Sequence, residues 1–417
     1  MACQGVGLYS ALVVQLMIQD IVSLRILLVS DYGYLAGGAE LMLLHLRDEL
    51  RSRGHDVRFF ATHVSEPGKP VLADYSCLGT DSGFRTLLQT ANPWAARRLS
   101  RVIREFRPDV VHVRMFLTQL SPLILPVLKN VPSIYHLAWY RPICPTGLKT
   151  LPGGEPCQVR YGRACLDNGC LTMRDWAPLM VQMRLLRRWR HHFNLLVANS
   201  NAVKSRLEAE DFGPVEVVHN GIPVTPHLAG HDGRPTACFA GRLVMVKGTQ
   251  VLLDAFAEVV RNLPEANLLI AGDGPERAVM ERSVREKGLE KNIRFLGFVP
   301  QDKLTTELQR AWVQLVPSVW AEPFGIVAVE AMMRGQAVIA SDHGGLSEIV
   351  RHGETGLLVK PNDSQALAGA LTRVLENRDY AQSLGAAAYE RAVEKFSLET
   401  FCDRFMGFYA ELAPRSG

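Results

Sequence analysis

The chain has 417 residues, more than the about 250–300 at which a single hydrophobic core usually splits, so two domains are expected. Its 47% apolar and 21% charged residues are ordinary for a soluble globular enzyme. A formal net charge of +4 argues against a dedicated nucleic-acid binder, and no run reaches the roughly 18–20 apolar residues of a membrane-spanning helix.

Residues 1–21 read as a poorly specified extension, as from an upstream start codon. Val6 to Ile18 is apolar but interrupted by Ser10 and Gln15, and no Lys or Arg precedes it, so the charged start of a signal peptide is missing. A weak membrane-surface helix is the sharper alternative. Without a signal, a cytoplasmic location with mostly reduced cysteines is expected. Ser23 to Ser30 (SLRILLVS) is then a buried strand, followed by the loop Asp31 to Gly38 (DYGYLAGG). Ala39 to Arg53 reads as a helix with Leu43, Leu46 and Leu50 on one face and Gly54 as its stop. Asp56 to Ala61 is the next strand. Such a strand–helix–strand unit implies a parallel sheet.

The alternation continues through strands at 109–113, 133–137, 195–199 and 215–219. Residues 220–235 have the Pro, Gly and His content of a linker. Strands then restart at 236–240, 267–271, 292–296, 312–316, 336–340 and 356–359. Two α/β halves joined near residue 225 follow, each a doubly wound sheet. Ligands of such sheets sit at the carboxyl ends of the strands, where the loops at 31–38, 136–140, 241–248, 272–275, 318–325 and 342–345 would face one interdomain cleft.

Three of those loops carry chemistry. Phe239 to Gly248 (FAGRLVMVKG) places Arg242 and Lys247 around a short loop at the head of a helix, which suits a diphosphate or, more plainly, two solvated charges. Ala271 to Glu276 (AGDGPE) has Gly272 and Gly274, which permit a tight turn and close backbone approach to a ligand. Pro317 to Glu330 (PSVWAEPFGIVAVE) spaces Glu322 from Glu330 by seven residues, with Glu330 on the first turns of a helix beginning near Gly325. A carboxylate there can accept from two ribose hydroxyls, and the free amides of Phe324, Gly325 and Ile326 can meet sugar hydroxyls or phosphate. The first strand is not followed by G-x-G-x-x-G, which argues against a nucleotide-cofactor dehydrogenase.

Taken in order, the early Gly37-Gly38, GRL…KG, GDGP, EPFG…E and SDHGGLSEIV (Ser341 to Val350) resemble the retaining GT-B glycosyltransferases of family 4, the group 1 transferases, from about residue 23 to about 395. The resemblance implies the GT-B fold, two doubly wound Rossmann-like domains facing an interdomain cleft. The acceptor-side domain is expected over 22–222, the nucleotide-sugar domain over 223–395, and a helix crossing back to the first domain over 396–417. It also implies that Arg242 and Lys247 neutralise the donor diphosphate and that Glu322 contacts the donor sugar. Glu330 would hold the ribose, Gly37 and Gly38 approach phosphate and sugar, and His136 lies close to the donor sugar. For His136 a core histidine is the plainer alternative. The implied activity is transfer of a hexosyl group, with retained configuration, from a nucleotide-diphosphate sugar to a hydroxyl of a glycan or lipid-linked saccharide precursor. No Asp-x-Asp pair occurs in the chain, so the diphosphate is expected to be stabilised without metal, and no cofactor besides the donor is required. A non-catalytic sugar-nucleotide-binding scaffold, or a phosphorylase or epimerase on the same fold, are the alternatives.

Two features depart from the family pattern. Cys144, Cys157, Cys165 and Cys170 lie in an apparent insert at about 138–175, spaced C-x12-C-x7-C-x4-C. A structural zinc, free thiols and disulfides are the three readings, and the insert's place after His136 would let it shape the acceptor entrance. Two basic stretches, Ala96 to Arg107 and Arg184 to His192, suit either a solvated face or docking on an anionic membrane, the latter making the protein peripheral at the inner membrane face.

Overall fold

The computed structural model describes residues 23–64, 66, 68–226 and 233–413. The extension expected over 1–21 lies outside them.

Two all-parallel sheets organise the chain. The first holds β1 (Arg25–Tyr32), β2 (Asp56–Thr62), β3 (Tyr75–Cys77), β4 (Val110–Val113), β5 (Ser133–Leu137), β6 (Leu195–Ala198) and β7 (Glu216–Val217), in the order β3-β2-β1-β4-β5-β6-β7. The second holds β8 (Thr236–Ala240), β9 (Asn267–Ala271), β10 (Ile293–Gly297), β11 (Val313–Val316), β12 (Ala337–Ser341) and β13 (Gly356–Val359), in the order β10-β9-β8-β11-β12-β13. In each sheet the order reverses beside its first strand, between β1 and β4 and between β8 and β11. The loops leaving those strands therefore diverge and open a crevice at the carboxyl edge.

The continuous apolar runs of the strands follow from burial on both faces. Leu27 and Val29 of β1 join one apolar cluster with Phe60, Val111 and Tyr135. Ile26 and Leu28, pointing the other way, join Leu43, Leu46 and Leu50 of the helix Gly38–Ser52. The three-residue strand β3 was not anticipated. It is an edge strand paired through Tyr75, Ser76 and Cys77 to β2, too short to show a period of its own.

The last helix, Leu398–Leu412, leaves the second sheet and inserts Phe401, Phe405 and Tyr409 into the cluster over the first. The two passages of the chain between the sheets are hydrogen-bonded to each other. Ile222 N donates to Phe396 O at 2.9 Å and Leu398 N donates to Ile222 O at 2.8 Å. Gly221 makes this possible, since a Cβ there would fall 2.3 Å from Ser397 O.

Candidate active site

In the second domain, glycines let three loops abut. A Cβ on Gly248 would lie 1.9 Å from Pro317 O, and one on Gly272 would lie 1.9 Å from Gly241 O. Both residues also have positive φ, +73° and +147°, which only glycine adopts without strain. This packing brings the loop after β8 against the loop after β11. Lys247 Nζ donates to Glu322 Oε1 at 2.7 Å, and Ser318 Oγ also donates to that oxygen. The Glu322 side chain is only 6% exposed, and those two donors replace the water it loses on burial. Arg242 is exposed on the same loop.

The helix Ile326–Met333 begins directly beyond Glu322, with Gly325 before it at φ +106°. Phe324 is buried, and the amides of Phe324, Gly325 and Ile326 sit at the helix head, where donors have no intrahelical acceptor. Glu330 is half-buried one turn further along and accepts from Gln301 Nε2 at 2.8 Å. Burial raises its pKa above the ordinary glutamate value, against the opposing pull of Arg334 and Gln301.

The first domain contributes the turn Gly37-Gly38, which is exposed and faces the same helix: a Cβ on Gly38 would sit 3.4 Å from Ile326 Cγ2. Two residues later, Glu40 is buried, and desolvation pushes its carboxyl up to about 7. Met42 of the same helix is buried in the second domain's apolar cluster with Val316 and Phe324.

His136 stands elsewhere than expected of a donor-sugar contact. It has no solvent exposure and lies against Phe401 and Phe405 of the returning helix. Arg114 Nη1 is 2.6 Å from its Nδ1 and 2.8 Å from its Nε2, and His112 Nε2 lies 3.2 Å from the same Nδ1. Burial, with the Arg114 guanidinium and His112, holds it well below the usual histidine range and so neutral. Arg114 itself donates from Nε to Ala39 O at 3.0 Å and from Nη2 to Asn220 Oδ1 at 3.0 Å. His136 thus stands one layer beneath the glycine turn and reaches it through Arg114. Arg114 is not among the residues the sequence motifs single out, although it stands immediately after the strand β4.

The domains are also joined by Glu348. Its carboxylate accepts from the Asn201 and Ala202 amides at 2.9 and 2.8 Å, at the head of the first domain's helix Asn201–Glu208, and lies 3.0 Å from His219 Nε2. Ser200 Oγ adds a bond to Pro323 O at 2.5 Å. Burial alone would raise the Glu348 pKa, but His219 and the two amides overcome it and hold it below the ordinary value. A depressed carboxylate stabilises the contact above its unfolded pKa of about 4.3 and loses that contribution as pH falls through the folded value. Small-angle scattering is therefore expected to show interdomain opening on acidification below that range. Glu348→Ala should show it already at neutral pH, while an unchanged profile would contradict the latch.

The four cysteines of the insert are free thiols, and only Cys144 is buried. Among the described residues no three His, Cys, Asp or Glu side chains are placed to hold a metal ion. Polar anchors hold the insert. Lys149 pairs with Glu210 in a buried salt bridge, Leu151 and Glu155 close a turn, and Trp176 Nε1 donates to Gly162 O at 2.8 Å. Of the two basic stretches, the helix Pro93–Phe106 buries Ala95, Leu99 and Val102 and presents Arg97, Arg101 and Arg104 to solvent beside an exposed Trp94. Among the described residues no helix is long and apolar enough to cross a membrane.

Comparison with known proteins agrees with this geometry. The family described as Glycosyl transferases group 1 matches residues 227–391, and that described as Glycosyltransferase Family 4 matches residues 36–225. A phosphatidyl-myo-inositol mannosyltransferase of Mycobacterium leprae is 30% identical over 403 residues, covering 94% of this chain and 97% of the relative. A glycogen synthase of Mycobacterium tuberculosis is 28% identical over 409 residues, covering 90% and 92%. Among solved structures, sucrose-phosphate synthase from Thermosynechococcus elongatus superposes with a TM-score of 0.69 at 24% identity, covering 93% of this chain and 99% of that one. Anabaena Alr3699/HepE in complex with UDP-glucose gives 0.65 at 21% identity, covering 93% and 100%. With the GT-B architecture and full-length matches to transferases, the chain belongs to the group 1, family 4 glycosyltransferases.

Proposed function

We propose that the protein moves a hexosyl group from a nucleotide-diphosphate sugar to an acceptor hydroxyl, with retention at the anomeric carbon and without a metal ion. The observation that carries this reading is the Lys247–Glu322 pair at the head of the helix Ile326–Met333, with Arg242 exposed on the same loop as Lys247 and Glu330 one turn along. A relative of the same fold, Anabaena Alr3699/HepE, was solved with UDP-glucose bound, which supports a nucleotide-sugar donor.

In this mechanism the bond between the anomeric carbon and the diphosphate oxygen breaks, and negative charge grows on that oxygen. Arg242, Lys247 and the amides at Phe324, Gly325 and Ile326 stabilise that charge where it develops. Glu322 accepts from hydroxyls of the departing sugar, Glu330 from the ribose, and the Gly37-Gly38 turn closes over both. Gly272 keeps the loop after β9 close to the nucleotide. Arg114 and the neutral His136 act as positioning residues behind the turn. The acceptor oxygen attacks on the face the diphosphate leaves, and its proton passes to the departing phosphate, so no enzymic nucleophile or base is assigned. The acceptor is a glycan or lipid-linked saccharide precursor, and the exposed arginines and Trp94 of the helix Pro93–Phe106 dock that domain on anionic lipid.

The test is a panel of uridine-, guanosine- and adenosine-diphosphate sugars, followed by nucleotide diphosphate release with and without chelator. Release from one donor, indifferent to chelator and weakened about 10²-fold or more in donor affinity by Glu330→Ala, is expected from loss of two charge-assisted hydrogen bonds. Neither release nor binding of any donor would overturn the transferase reading and leave a scaffold.

A further inference from the structure

A cavity of about 320 Å³ opens at the carboxyl edge of the first sheet. It lies between the end of β1 at Tyr32, the loop after β4 at Thr118, the loop after β5 at Trp139 and Arg141, and the helices bearing Arg85 and Asp175. The insert supplies part of its wall through Pro145 and Thr146.

Arg141 is the unusual member of this lining. It is only 6% exposed, yet no carboxylate among the described residues forms an ion pair with it. Nη2 donates to three neutral oxygens, Leu117 O at 3.0 Å and Gln89 Oε1 and Gln182 Oε1 at 3.2 Å each. Its buried Nε has no hydrogen-bond partner. Asp31, which acts on it through space, is already held by the amides of Thr118, Gln119 and Leu120 and the Thr118 hydroxyl, and burial pushes its carboxyl up to about 6. Asp31 is therefore a counter-charge that acts on Arg141 only through space, and the guanidinium keeps donors that no carboxylate among the described residues accepts from directly, which leaves room for an added anion.

The rest of the wall fits such an anion. Arg85 is exposed, and no ion pair ties it down among the described residues. Asp175 also lines the cavity, but its carboxylate already accepts from the Thr86 and Thr172 hydroxyls at 2.8 and 2.9 Å. The Arg141 guanidinium lies 5.9 Å from the centroid of the Trp139 ring, and Gly147 packs close to an edge atom of that ring, where a Cβ would fall 2.5 Å away. An aromatic face and two arginines suit a ring-shaped polyol bearing an oxyanion. Tyr140, between the two lining residues, is buried with its hydroxyl unpartnered, and burial raises its pKa well above the ordinary tyrosine value.

We infer that this cavity is the acceptor subsite and that it takes an acceptor carrying a phosphate or carboxylate, bound between Arg141 and Arg85 with its ring against Trp139. This inference rests on the transferase reading above and names its acceptor class.

Calorimetry on the full chain tests it with glucose 6-phosphate and glucuronate against glucose. Preference for either anionic sugar by about tenfold or more is expected. Arg85→Gln, at an exposed position that tolerates change, and Arg141→Lys should each erase most of that preference. Vesicles of phosphatidylcholine with and without phosphatidic acid separate the sources. Competition of acidic vesicles with glucose 6-phosphate assigns the oxyanion to a lipid headgroup, and its absence assigns a soluble acceptor. Equal binding of glucose and its anionic counterparts, or none by any, overturns the inference. Donor binding is measured on the same preparation. Its presence alongside that negative result leaves the transferase reading standing, and its absence removes both.

Discussion

Lys247→Ala is expected to lower donor turnover about 10²–10³-fold, the loss seen when one preorganised contact to developing charge is removed. Two effects combine. The variant withdraws a cation from the leaving diphosphate, and it strips Glu322 of its 2.7 Å partner, leaving a buried carboxylate held by Ser318 alone. Glu322→Gln should cost a comparable factor, because the amide keeps the shape but not the charge. Since each side chain positions the other, the double variant should be little worse than either single one. Steady-state release of nucleotide diphosphate from the preferred donor measures all three. Strict additivity of the two losses would show that the residues act separately.

Gly272→Ala is expected to be the most disruptive small change in the second domain. The added methyl would lie 1.9 Å from Gly241 O, a backbone atom with no rotamer to yield, at a φ of +147° that L residues rarely adopt. The loops after β8 and β9 must separate, at a cost of about 2–4 kcal/mol. That should lower the melting temperature by several degrees and abolish donor binding together, because Arg242 and Lys247 ride on the displaced loop. Calorimetric melting and donor titration check this. A variant that melts lower but binds donor normally would detach the loop packing from the site.

The alternation of apolar strands with helical segments is legible because the central strands of each parallel sheet are buried on both faces, so strands such as β1 and β12 read as near-continuous apolar runs. Strand β3 was not, since its three residues are stabilised by pairing to β2 rather than by their own pattern. The loops carrying Arg242, Lys247, Glu322 and Glu330 could be located because glycines and charges interrupt apolar runs there. What the linear order hides is which loops touch. Arg114, remote in sequence from both Gly37-Gly38 and His136, joins them only through the fold. Burial of His136 follows from the helix Leu398–Leu412, whose Phe401 and Phe405 come from the far end of the chain. Glu348 lay in a recognised stretch but had no role until the helix beginning at Asn201 was seen to point at it. The spacing of the insert's cysteines left zinc, free thiols and disulfides open, and it gave no sign of the Lys149–Glu210 pair or the Trp176 bond that anchor the insert.

The reciprocal bonds between Ile222 and the Phe396–Leu398 segment have a mechanical meaning. Both strands that cross between the domains are stitched at one place, like the pages of a book sewn at a single spine. Sliding of one half over the other, or drawing the halves straight apart, would tear that stitch, whereas rotation about it leaves it whole. Any opening of the cleft is therefore expected to carry the glycine turn and the helix at Gly325 along one arc centred on that seam.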